Sequence, residues 1–160
     1  MVRVRLPIQE AIRDLVNDLL GTETAVDKTP DAIESDDVGA VVSYRDDEGA
    51  MAIAGVFDTD LVGFLGGALT MVPPSALEEA RMKGDLPENV VENFWEVTNI
   101  LASMLNRPNS PHVVQADRHR TLAEAEDDLL GVVDAPAKAR IFSVAIEGYG
   151  TGRMALYAAP

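Results

Sequence analysis

The stretch Glu88-Asn-Val-Val-Glu-Asn-Phe-Trp-Glu-Val-Thr-Asn-Ile-Leu-Ala-Ser-Met-Leu-Asn106 decides how this chain is read. Val90, Val91, Phe94, Val97, Leu101, Met104 and Leu105 recur at steps of three and four, which makes one apolar face of a long helix. Glu92, Glu96, Asn99 and Ser103 line a separate polar strip, expected to face outward. Asp85, Pro87 and Glu88 supply a helix start, and Arg107-Pro108-Asn109 supplies a stop. Residues three apart on a helix lie about 4.5 Å apart along the axis and roughly 60° around it, so Glu96 and Asn99 present a carboxylate and an amide side by side.

Moving 82 positions back finds the same pattern at residues 7–20, with Glu10 on Glu92, Ile12 on Phe94, Asp14 on Glu96, Leu15 on Val97, Asn17 on Asn99 and Leu19 on Leu101. Gly21 stands where a C-terminal cap belongs. Each copy of the helix is followed by a hairpin signal. Val38–Tyr44 and Gly49–Phe57 flank Arg45-Asp-Asp-Glu48, and Ala139–Glu147 and Gly152–Ala158 meet around Gly148-Tyr-Gly150. Val41-Val-Ser43 reads against Ile141-Phe-Ser143, and Gly49-Ala-Met-Ala-Ile53 against Gly152-Arg-Met-Ala-Leu156.

Each such element must bury one face, so the expected fold class is α+β: one domain over residues 1–160, built from duplicated helix-plus-β-hairpin halves. An antiparallel sheet packed with two long helices and a pseudo-twofold axis follows from that duplication. Asp58 is expected to cap a helix over 59–70, and Ser75-Ala-Leu-Glu78 reads as a capping box opening a short helix that stops at Gly84. Residues 22–37 read as a surface loop. Residues 107–137 give no single reading: His112–Gln115 suits a strand, Leu122–Leu130 a helical turn, and Asp134-Ala-Pro136 a break.

Composition excludes several function classes. With 13 Lys and Arg against 27 Asp and Glu, the net charge of −14 repels phosphate backbones and anionic lipids, so neither nucleic acid nor a membrane is an expected partner. No apolar run approaches the roughly 20 residues that span a bilayer, and Met1–Pro7 leads into an amphipathic stretch, not an apolar signal core. The absence of Cys removes disulfides, thiolate ligands and a thiol nucleophile. A cytoplasmic protein is expected.

An acidic residue three before an Asn is a weak signal alone. With 27 acidic residues and six Asn, about one match arises by chance, against the two here, Asp14/Asn17 and Glu96/Asn99. Their equivalent positions in two duplicated helices add the weight. Glu96-Val-Thr-Asn99-Ile-Leu-Ala-Ser103 resembles the motif of the CheC/CheX/FliY family of chemotaxis phosphatases, and the strand, turn, strand and helix start over Val41–Met71 and the closing hairpin are similar as well.

The resemblance implies dephosphorylation of the phospho-aspartate of a CheY-like response-regulator receiver domain. It implies that Asn99 orients the hydrolytic water and that Glu96 docks on a Lys of the regulator. Asp14 and Asn17 form a candidate second site. No cofactor of the chain's own is implied, since the Mg2+ would sit on the partner receiver domain. The alternative is a noncatalytic module of the same fold, binding a response regulator or flagellar-switch component, or forming a homodimer. Two departures mark the transfer: Ser103 stands where many members have Gly, and Asp14 is one methylene shorter than Glu.

Among other residues, His112 and His119 sit in no ligand cluster and read as surface or loop residues. Gly63, Gly66 and Gly67 lack a phosphate-cradling pattern and suit close helix packing. Trp95 adjoins the polar strip, where it suits either a partner surface or the core.

Overall fold

The two amphipathic stretches become helices with the expected ends in the computed structural model, which describes residues 5–108 and 110–160. The first four residues of the N-terminal reading and Asn109 of the helix stop lie outside the described residues. Helix α1 (Gln9–Leu20) ends at Gly21, whose φ of 68° is the left-handed cap an L side chain resists. Its Ile12 and Val16 are buried, as are Phe94 and Thr98, their equivalents in the long helix.

Between these copies lie α2 (Thr59–Thr70), α3 (Pro74–Lys83) and the long helix α4 (Glu88–Leu105). Asp58 caps α2 as expected, its Oδ1 accepting the Leu61 N–H at 2.8 Å. The capping box at Ser75 does not form: Pro73 occupies the cap position and Pro74 the first turn, so Ser75 already lies inside α3. A proline with φ preset for a helix starts α3 two residues earlier than a Ser75 cap would. The stop at Gly84 holds, with φ 68°.

The sheet comprises β1 (Ala25–Lys28), β2 (Val38–Asp46), β3 (Met51–Asp58), β4 (Val113–His119), β5 (Lys138–Ile146) and β6 (Gly150–Ala158), in the order β1-β5-β6-β3-β2-β4 with every neighbour antiparallel. That order is symmetric about the β3–β6 pair. The strand after each duplicated helix crosses to the other half, β1 onto β5 and β4 onto β2, so the halves interlock. Residues 22–37, expected as loop alone, contain β1; it was concealed because only Val26 of its four residues is buried and its pairing is tertiary.

One face of the sheet packs on α1, α2 and α4 through Ile12, Phe57, Leu61, Phe94, Phe142 and Leu156. The other packs on α5 (Asp127–Asp134) through Val41, Ala54, Val56, Leu129 and Ala155. The helical layer therefore holds α2 besides the two duplicated helices. It lies close, because a Cβ on Gly66 would fall on the Val90 carbonyl oxygen of α4, which accounts for the small residues in α2.

The hairpin match of Met51 with Met154 fails, although Val41 and Ile141 do share the α5 side. Met51 packs on that side while Met154 belongs to the helix-side core. Ile53 and Leu156 of the same match do share the helix side, but the pairing of β3 with β2 skips Ala52, and this extra residue turns Met51 to the opposite face.

Candidate functional site

Glu96 and Asn99 both project from the exposed face of α4, with Glu92 and Ser103 on the same strip. Neither Glu96 nor Asn99 makes a side-chain hydrogen bond or ion pair among the described residues. The helix beneath them is held from behind. The buried Tyr44 hydroxyl donates to the Thr98 carbonyl at 2.7 Å, and Thr98 Oγ1 lies 2.8 Å from Gln115 Oε1 and from the Trp95 carbonyl. Burial drives the Tyr44 phenol well above its ordinary range, so it stays a neutral donor.

The pair opens onto a groove between α4 and edge strand β4, lined by Trp95, Glu96, Asn99, Gln115, Ala116 and Arg118. Trp95 is half-buried, meeting Phe94 edge-on at 6.0 Å while the Arg118 guanidinium sits 5.6 Å from its ring centre. Gln115 and Arg118 could not be read as groove residues from sequence, because their placement depends on how β4 registers on β2. Tyr44 pairs with Gln115 but Ser43 pairs with Asp117, leaving Ala116 as a bulge.

Asp117 turns to the α5 side. Its Oδ2 accepts from Ser43 Oγ at 2.7 Å and from Arg45 Nε at 2.9 Å, and Arg45 also grips Asp128 of α5 at 2.6 and 2.9 Å. The Ser43 hydrogen bond, with Arg45 adding, holds the Asp117 carboxyl below its ordinary value, and Arg45 does the same for Asp128. This cluster fastens the stretch 107–137 to the sheet. His119 on β4 contacts Glu126 at 2.9 Å, and His112 contacts Asp47 at 2.7 Å.

The α1 copy has the same sequence pattern in a different setting. Asp14 is exposed and stands 3.6 Å from Arg13, while Asn17 Oδ1 accepts the backbone N–H of buried Thr24 at 2.7 Å. The chain reverses at Gly21 and brings Thr24 back over Asn17. After α4 it departs instead at Asn106, which bonds the Val113 backbone at 2.7 and 2.9 Å and leaves Asn99 uncovered.

A carboxylate and an uncommitted amide on a rigid helix can engage a cation and orient a water between donor and acceptor. No family model matches the chain, and no curated protein matches its sequence. Solved structures do match its fold. A chain of the CheX–CheY–BeF3–Mg2+ complex of Borrelia burgdorferi superposes with a TM-score of 0.57 at 11% identity, covering 94% of this chain and 94% of that one. The FliM middle domain of H. pylori superposes with a TM-score of 0.54 at 6% identity, covering 94% and 84%, and a chain of the FliG–FliM complex of H. pylori with 0.52 at 7%, covering 94% and 86%. In its topology this chain therefore has the CheX-like fold, which is also that of the FliM middle domain.

Proposed function

We propose that the chain dephosphorylates the phospho-aspartate of a receiver domain, acting through Glu96 and Asn99 of α4. The observation that carries this reading is that Glu96 and Asn99 are exposed and uncommitted on a braced helix, whereas Asn17 of the matching pair is tied to Thr24. Asn99 enters the partner's site and holds a water in line with the acyl phosphate. The water oxygen attacks phosphorus, the phosphorus–oxygen bond to the aspartate breaks, and the aspartate leaves as a carboxylate with inorganic phosphate as product. An amide suits this role because it donates and accepts hydrogen bonds without titrating. Glu96 pairs with a cation on the partner, and the Mg2+ of the reaction belongs to the partner. Such a partner is cytoplasmic.

Only the α4 copy works in this reading, since using Asn17 would strip the Thr24 N–H of its acceptor. A second reading, noncatalytic docking on a receiver or flagellar-switch component, draws support from the fold shared with the FliM middle domain. Phosphate release from a phosphorylated receiver separates the two. Asn99→Ala is expected to abolish acceleration while binding persists, and Glu96→Ala to weaken both. Binding by the wild type with no faster phosphate release would replace the enzyme by the docking module.

A further inference from the structure

In an unbroken strand, Gln115 and Arg118, three residues apart, would point to opposite faces of the sheet. The extra residue Ala116 returns Arg118 to the α4 side, opposite Val42, while Asp117 and His119 stay on the α5 side with Arg45 and Glu126. The bulge therefore sorts the charges of β4, placing its cation in the groove beside Asn99 and its acid behind the sheet.

Arg118 also differs from the other arginines between Arg13 and Arg153 in what it bonds. Those from Arg13 to Arg153 each reach a carboxylate or carbonyl oxygen, through Asp14, Asp128, Asp60, Met104, Gly39, Leu6 or Asp31. Arg118 alone among them has no such bond among the described residues; its neighbour is the Trp95 ring. A guanidinium over an indole keeps its N–H fork for an outside acceptor.

The setting gives that fork a purpose. The chain carries a net charge of −14, and Glu88, Glu92 and Glu96 border the same side of α4. Such a surface repels a phosphoryl dianion at the point where Asn99 must approach it. A guanidinium matches two phosphoryl oxygens at once, and Arg118 lines the same groove as Asn99.

We propose that Arg118, turned into the groove by the Ala116 bulge, contacts the phosphoryl group and makes this chain select the phosphorylated over the unmodified partner. This rests on the receiver-domain reading. The test is calorimetric titration with a CheY receiver domain in Mg2+, with and without beryllofluoride as the phosphoryl mimic. Wild type is expected to bind the beryllofluoride form more tightly. Arg118→Gln is expected to lower that ratio about tenfold by weakening the beryllofluoride form alone, and Arg118→Lys to restore part of it.

An unchanged ratio in Arg118→Gln, or an equal loss for both forms, would overturn the proposal while Asn99-dependent phosphate release still upheld the enzyme reading. Binding with the expected ratio but without faster phosphate release would remove the enzyme reading and uphold Arg118. Wild type binding neither form would overturn both.

Discussion

Asn17 and Asn99 occupy matching places on duplicated helices, yet among the described residues only the Asn17 amide has a polar partner. Asn17 Oδ1 satisfies the N–H of Thr24, a residue only 4% exposed, so its loss strands a buried donor. Asn17→Ala is therefore expected to cost about 1–3 kcal/mol of stability, with phosphate release by the folded protein unchanged. Denaturant unfolding beside the phosphate assay reads both. Slower release at full stability would instead make Asn17 a working site. Asn99 has no such duty, and Thr98, its buried neighbour bonded to Tyr44 and Gln115, holds its backbone in place.

At the scale of elements, the site depends on how closely α2 presses α4 against the sheet. Gly66 faces the Val90 carbonyl, so a methyl group there must push the two helices apart at the first turns of α4. Overpacking of this kind costs about 1–3 kcal/mol, and the better helix propensity of alanine returns at most about 1 kcal/mol. Gly66→Ala is expected to lower the thermal midpoint, and an unchanged or higher midpoint would show that α2 and α4 separate freely. Strand β4 makes the opposite use of irregularity: its bulge at Ala116 costs a ladder position and re-aims Arg118.

For the whole molecule, acid response follows from which carboxylates the fold favours. Asp117 and Asp128 are held below the ordinary value of 3.8, so the stability they contribute is present above it and disappears as pH falls through their folded values. Buried Asp58 has the opposite shift, chiefly from desolvation, so its ionisation opposes folding and acid relieves it first. Unfolding midpoints followed downward in pH are expected to drop below about 3.8, and Asp117→Asn to flatten that drop. An equally steep acid limb in Asp117→Asn would detach the Ser43–Arg45–Asp117 cluster from acid stability.

Much of this architecture was legible in the chain because its information is local. Apolar residues at three- and four-residue steps, Gly21 and Gly84 at helix ends, and Asp58 before α2 each act within one helical turn, so residue order alone determined α1, α2 and α4 and placed Glu96 and Asn99 on an exposed strip. Strand β1, the register of β4, the faces of Met51 and Met154 and the fate of Asn17 were decided only in the tertiary structure. Each depends on a partner distant along the chain or on a loop's return, and a one-residue change of register exchanges the two faces of a strand. The same limit separates the two halves of the groove: Glu96 and Asn99 came from the period of a helix, whereas Arg118 reached them through a bulge that pairing with β2 imposes.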